Sequence, residues 1–222
     1  MRIVVAVLIA FFMSCASAQN FGSFVGSVVA KWNPDGKTMT LVRPFAYIDP
    51  SGSRWEAPKG AIIDGASIPK FAWSIIGGPL EGKYRDSSVI HDVACNQKLR
   101  SWKDVHQAFY TGMLASGVSI VKAKIMYAAV YHFGPRWPTK RTIHQVTNQI
   151  SENKSCVNMD IDNPICITIP KTSQPMEAVI NIDIPPPIQK LSHEKFYQLQ
   201  KEIEDNESGD SPISLEQIRE YK

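Results

Sequence analysis

The clearest hydrophobic pattern in the chain lies between residues 101 and 117. Apolar and aromatic residues recur there at intervals of three and four, together with one histidine: Trp102, Val105, His106, Phe109, Tyr110, Met113 and Leu114. This spacing predicts an amphipathic helix whose buried stripe includes His106. Ser101 before the pattern and Gly117 after it are typical of the start and the end of a helix. The segment is therefore expected to bring a titratable side chain into the interior.

The segments on either side of it predict two more helices. Roughly residues 82–99 place His91 on a stripe of mainly small side chains, which lets a second helix approach closely. Residues 118–133 carry apolar residues at helical spacing and end before Gly134 and Pro135. His132 lies near the end of that helix, where an interaction with the helix dipole is expected.

Before the helices, runs of β-forming residues alternate with turn residues. The runs are Phe24–Trp32, Thr38–Ile48 and Ser53–Ala57, and the turns between them are Asn33–Gly36 and Asp49–Gly52. This alternation predicts a small antiparallel meander that positions the loop beginning at Asp64. The predicted fold class is α+β, with a small N-terminal antiparallel β meander followed by a three-helix core and an extended Pro-rich C-terminal tail.

Composition divides the chain into four segments. Residues 1–18 combine Arg2, an apolar run and small residues, which predicts a signal peptide cleaved after Ala18, with acylation of Cys15 as the alternative. Residues 19–150 form the predicted domain, and 151–190 a linker rich in Pro, Asn and Ser. Residues 191–222 predict an acidic tail, helical or disordered, that can bind a protein partner. The expected location is secreted or periplasmic.

Charge and cysteine content narrow the class of protein. The chain holds 24 Lys and Arg against 21 Asp and Glu, with a formal net charge of +3. Because the acidic residues concentrate in 191–222, the rest is mildly basic, which favours peripheral contact with an anionic lipid surface and is too weak for a nucleic-acid binder. No segment after residue 18 has the ~20 apolar residues of a membrane span. Cys156 and Cys166 predict a disulfide, which leaves Cys95 as the odd thiol.

A loop and a helix supply the candidate chemistry. Asp64 opens a glycine-containing turn, and His91 is followed directly by Asp92 on the first predicted helix. An imidazole that takes a proton beside a carboxylate that binds a cation suits metal-assisted hydrolysis. Asp64 either ligates the same cation or organises its own turn. His106 is either a core histidine or a partner that faces His91 across the helix pair.

These motifs, taken together, resemble domain-of-unknown-function family 1353, which is found largely in phages and bacteria. The resemblance covers about residues 25–137 and implies no activity. It is carried by Asp64–Pro69, Trp73, Ile76–Pro79, Tyr84, His91–Asp92, Phe109, Tyr127, Gly134 and Trp137.

A looser resemblance connects the chain to bacterial and fungal secreted phospholipases A2. Its counterparts here are Asp64–Ser67, Val89–Asp92, His106–Phe109 and Tyr127–Val130 with Gly134. The resemblance implies a phospholipase A2-like core acting on phospholipid or other acyl esters. It further implies Ca²⁺ held by the Asp64 loop and Asp92, with His91 and the residue at position 106 as the catalytic pair.

The chain departs from the phospholipase pattern at three places. Ala66 and Ser88 stand near the positions of bracing cysteines, and Cys95 stands where an aromatic residue is expected. His106 replaces the aspartate that orients the catalytic histidine, and a neutral imidazole stabilises an imidazolium less than a carboxylate does. Because His91, His106 and Asp92 also suit Zn²⁺, a transition-metal hydrolase is a second hypothesis. A non-catalytic envelope or phage-associated binding protein on the same scaffold is a third.

Overall fold

The computed structural model describes residues 19–65, 72–73, 77–78, 80–147, 154–157, 165–168, 176–184, 191–207, 209 and 211–222. Between residues 139 and 184 the description is confined to the backbone of strands. The predicted signal peptide with Cys15, the end of the Asp64 loop from residue 66 to residue 71, and the proline run after Ile184 lie outside the described residues.

Two small antiparallel sheets precede the helices. Their strands are β1 (Ser23–Val25), β2 (Ala30–Trp32), β3 (Met39–Leu41), β4 (Phe45–Ile48), β5 (Arg54–Ala57) and β6 (Ile62–Ile63). The strand orders are β1-β4-β5 in one sheet and β2-β3-β6 in the other.

The single meander predicted from the sequence is therefore divided between two sheets. Gly26, with a positive φ of 86°, separates β1 from β2 within the predicted strand 24–32. Pro44, which has no N–H to donate to a ladder, separates β3 from β4 within the predicted strand 38–48. Both residues interrupt runs of β-forming residues that otherwise look continuous.

Three helices follow, as the apolar spacing predicted. A short 3₁₀ turn (Gly82–Tyr84) leads into α1 (Arg85–Gln97), and α2 (Trp102–Ala115) and α3 (Ile120–Phe133) come next. The side chains of Ser101 and Ser119 accept hydrogen bonds from backbone N–H groups in the first turns of α2 and α3. α1 packs against α2, and α2 against α3. Within the part of the chain that is described, no helix is long and apolar enough to cross a membrane.

The helices of the predicted tail pack onto the same core. α4 (His193–Asn206) and α5 (Leu215–Glu220) both contact α3. Phe196, Leu199 and Ile203 of α4 and Ile218 of α5 are fully buried. Lys124 of α3 and Glu207 form an ion pair of 2.6 Å at the same contact. The apolar stripe of α4 is thus covered by this chain itself.

Strands occupy the described parts of the predicted linker. β7 (Thr139–Thr147) pairs antiparallel with β10 (Met176–Ile184), and β8 (Lys154–Val157) with β9 (Ile165–Thr168). Cys156 and Cys166 are direct partners in the β8–β9 register. Opposed Cα atoms of antiparallel strands are about 4.5–5.5 Å apart, which lies within the range that a disulfide spans. The register agrees with the expected disulfide, which stays a prediction.

Candidate functional site

The packing of α1 on α2 brings His91 and His106 into contact. His91 Nε2 lies 2.9 Å from His106 Nδ1. The ring centroids are 5.1 Å apart and the planes differ by 27°, so the two rings meet edge to edge rather than stacking. The exposed fractions are 1% for His91 and 0% for His106. The sequence left open whether His106 faces His91, and in the structure it does.

The tautomers of the two rings set the direction of the hydrogen bond between them. A neutral imidazole has one donor and one acceptor nitrogen, so one of His91 Nε2 and His106 Nδ1 donates and the other accepts. In the tautomer in which His91 Nε2 donates to His106 Nδ1, the acceptor nitrogen of His91 is Nδ1. A backbone hydrogen bond with Pro135 raises the pKa of His106 against the larger lowering effects.

Burial holds His106 in its neutral form at neutral pH. The pKa of His106 lies well below its ordinary value, because burial disfavours the imidazolium and because His91 and Arg136 add repulsion. Aromatic rings enclose the pair: Phe109 lies 4.8 Å from His91 between centroids, and Trp102 lies 5.6 Å from His106. The low-polarity surroundings therefore favour the uncharged imidazole of His106.

Cys95 is a third member of the cluster. It follows His91 by one helical turn, and its Sγ lies 3.6 Å from His91 Nε2 and 3.8 Å from Nδ1. Burial, with the nearby carboxylates of Asp92 and Asp64, raises the pKa of the Cys95 thiol to about 12. Cys95 is therefore a neutral thiol at neutral pH. The sequence indicated Cys95 as the odd thiol and as a replacement for an aromatic residue, and its i+4 spacing from His91 was the signal for this contact.

Asp92 attaches the Asp64 loop to α1. Its Oδ2 accepts hydrogen bonds from the backbone N–H groups of Asp64, at 3.0 Å, and Gly65, at 2.7 Å. The Asp92 side chain is buried, while the Asp64 side chain is exposed. The loop thus closes over Asp92 through its backbone, which is a positioning role for this carboxylate.

The described residues do not by themselves form the predicted calcium or zinc site. Among them, no three His, Cys, Asp or Glu side chains are grouped so that they could hold a metal ion. The contact between Asp64 and Asp92 is a hydrogen bond from the Asp64 backbone N–H to the Asp92 carboxylate, and not a contact between two carboxylates. Metal binding by Asp64 and Asp92 stays a prediction.

With this geometry in place, the chain can be compared with known proteins. Residues 39–130 match the model of a family described as "Protein of unknown function (DUF1353)". The resemblance to family 1353 is therefore confirmed over this range. The matched range runs from β3 to α3, so it contains the Asp64 loop, His91, Asp92 and His106. The looser resemblance to phospholipases A2 stays a prediction.

Two curated relatives are themselves uncharacterised. Uncharacterized protein y4jT of Sinorhizobium fredii (strain NBRC 101917 / NGR234) is 38% identical over 173 residues, which cover 76% of this chain and 49% of the relative. Uncharacterized protein y4iH of the same organism is 41% identical over 124 residues, which cover 55% of this chain and 52% of the relative. The chain thus spans about half the length of these curated relatives. No solved structure matches it.

Proposed function

We propose that the chain is a phospholipase A2-like hydrolase of acyl esters in which His91 is the general base and His106 positions it. The observation that supports this most is the 2.9 Å contact between His91 Nε2 and His106 Nδ1. A general base needs an orienting partner on one nitrogen so that the other can act on a proton. The contact supplies that partner from a second helix.

The reaction requires one proton to move twice. Nδ1 of His91 takes a proton from water while the water oxygen adds to the ester carbonyl carbon. When the tetrahedral intermediate collapses, the imidazolium of His91 returns the proton to the departing alkoxide. The products are a carboxylic acid and an alcohol, and the enzyme regains neutral His91.

His106 makes this a weaker catalyst than an enzyme with a carboxylate at that position. During the reaction His91 becomes cationic, and His106 Nδ1 accepts its hydrogen bond without adding a negative charge. A carboxylate would add a favourable Coulomb interaction in a buried setting. We therefore expect slow turnover on phospholipid or other acyl esters, at the secreted or periplasmic location that the first 18 residues suggest.

Ester hydrolysis by matched histidine variants tests the proposal. With 4-nitrophenyl butyrate and a fluorogenic phosphatidylcholine as substrates, His91→Gln should lower the rate by about 10²–10⁴-fold, the usual contribution of a general base. His132→Gln is the matched control, because His132 is also a buried helix histidine and lies outside the pair. The control should retain the wild-type rate once folding is verified by circular dichroism. Equal rates for wild type and His91→Gln would refute a base role for His91.

The positioning role of His106 has a separate test. His106→Ala should slow hydrolysis, whereas His106→Asp should restore or exceed the wild-type rate, because an acceptor again faces His91 Nε2. A residue with only a packing role would give similar rates in both variants at equal folded fraction. Rescue by Asp but not by Ala therefore separates positioning from packing.

Metal analysis of the same preparations decides among the alternatives. Calcium-dependent hydrolysis that stops with chelator would support the phospholipase-like form, with Asp64 and Asp92 as expected ligands. Stoichiometric, tightly held zinc would favour the transition-metal hydrolase. Absence of both metal and hydrolysis, with His91→Gln unchanged in every assay, would leave the non-catalytic binding protein.

A further inference from the structure

The β2-β3-β6 sheet turns one face to the core and the other to solvent. Lys31, Thr40 and Ile62 are partners across the three strands. Leu41 and Ile63, which alternate with Thr40 and Ile62 along their strands, are buried against the core. Since successive side chains of a strand point to opposite faces, Lys31, Thr40 and Ile62 belong to the outer one.

Apolar side chains continue along this outer face. Val42 donates its backbone N–H to the carbonyl of Val29 at 2.8 Å, so these two valines face each other in the next outer row. The exposed fraction of Ile62 is 57%, and those of Val42 and Val29 are 40% and 37%. Large apolar side chains exposed next to each other mark an interaction surface more often than scattered ones do. We call Val29, Lys31, Val42 and Ile62 the basic apolar face.

Cations surround the apolar side chains. Lys31 lies in the face itself, and Lys37, Arg43 and Lys59 lie on the turns that border it; all four are exposed. The ion pairs found among the described residues involve none of them. Two carboxylates are near: Asp35 accepts hydrogen bonds from Thr38 and the Lys37 backbone in its turn, and Asp64 opens the loop after β6. The border of the face therefore carries more positive than negative charge.

We propose that the basic apolar face is a docking surface for anionic lipid membranes. Lysine and arginine attract anionic headgroups, and valine and isoleucine side chains enter the boundary between headgroups and acyl chains. Nucleic acid would use the cations but not the exposed valines and isoleucine, which makes it the less suitable partner. The proposal does not depend on hydrolysis at His91.

Vesicle co-sedimentation with the full chain tests this surface. Vesicles of mixed phosphatidylglycerol and phosphatidylcholine should bind the protein, and vesicles of phosphatidylcholine alone should bind it at least about ten-fold more weakly. Lys31→Gln should lower the partition coefficient about five-fold. The double variant Val42→Asn, Ile62→Asn should lower it at least about ten-fold, because both side chains leave water on binding. Added salt should weaken binding.

Matched controls come from other parts of the surface. Leu99 is an exposed apolar residue and Lys201 an exposed lysine, and both lie outside the basic apolar face. Leu99→Asn and Lys201→Gln should bind vesicles as the wild type does. His91→Gln should also bind normally, which separates this proposal from the proposed hydrolysis. Failure of the wild type to bind anionic vesicles, or equal binding by the face variants and the controls, would overturn the proposal.

Discussion

Three histidines are buried in the same helical core. Two of them form a pair and the third stands apart, and they differ in the group that each one contacts. His91 and His106 contact each other between α1 and α2. His132, at the end of α3, donates from Nε2 to the carbonyl of Ile218 in α5 at 2.7 Å. A carbonyl only accepts, so the His132 contact has one fixed direction and ties α5 to α3. Burial is thus shared by the two groups, and the partner determines whether a proton can be exchanged.

The electrostatic environment is similar in both places. Burial lowers the pKa of His132, and Arg136 lowers it further, while the hydrogen bond with Ile218 raises it. For His106 the same three kinds of influence operate, with repulsion from His91 in addition. Both side chains are therefore neutral at pH 7. The contrast between the pair proposed to be reactive and the histidine that ties two helices together therefore rests on contact geometry rather than on charge state.

The largest stability effect is expected where α4 covers α3. Phe196 is fully buried and packs edge to face against Phe133, with centroids 5.7 Å apart. Phe196→Ala removes those contacts and leaves a cavity, so the free energy of unfolding should fall by about 3–5 kcal/mol. Urea unfolding followed by circular dichroism measures it. The proposed ester hydrolysis should persist in the folded fraction, since Phe196 lies outside the His91–His106 pair.

The adjacent residue gives the control for this variant. Tyr197 is 47% exposed on the same helix. Tyr197→Ala should change the free energy of unfolding by no more than about 0.5–1 kcal/mol. If Phe196→Ala were as mild as Tyr197→Ala, the helices of residues 191–222 would be an appendage, as the sequence suggested, and not part of the core.

A smaller effect on the free energy of unfolding is expected when the pH is lowered. Since the folded-state pKa values of His106 and His132 are lowered, the unfolded chain binds more protons than the folded chain as pH falls below about 6.5. The free energy of unfolding should then decrease by up to about 1.4 kcal/mol per pH unit for each histidine, and the stabilisation is complete above that pH. His132→Gln can still donate to the Ile218 carbonyl but cannot titrate. Urea unfolding between pH 7 and pH 5.5 should show a shallower slope for this variant.

A comparison with His106→Asn sharpens the pH experiment. That variant should also flatten the slope of the free energy of unfolding against pH, because it removes the imidazole of His106 and with it the second lowered pKa. Slopes that match the wild type in both variants would mean that carboxylates alone carry the pH dependence, and the similar environments inferred for the two regions would be wrong.

Periodicity predicted more of this molecule than composition did. The 3.6-residue spacing predicted α1, α2 and α3, and it placed His106 on a buried stripe. Composition assigned residues 151–190 to a linker, yet β8, β9 and β10 lie there, because Asn, Ser and Thr also occur in strands that pair with a partner strand. The backbone role of Asp92 was outside the reach of sequence reasoning, since the hydrogen bonds join residues 27 and 28 positions apart.

The smallest effect on activity is expected at Cys95. Because burial raises the pKa of the Cys95 thiol to about 12, the thiol should react with iodoacetamide at pH 8 at least about thirty-fold more slowly than in the unfolded chain. Mass spectrometry of timed samples measures this rate, and Cys95→Ser identifies the peak. The same variant should hydrolyse esters within about three-fold of wild type, because a neutral thiol neither takes nor gives the proton that His91 handles. Fast labelling of native Cys95 would show a thiolate, and hence a positive charge beside it. The His91–His106 pair would then have to be charged, and it would differ from His132 in charge as well as in hydrogen-bond partner.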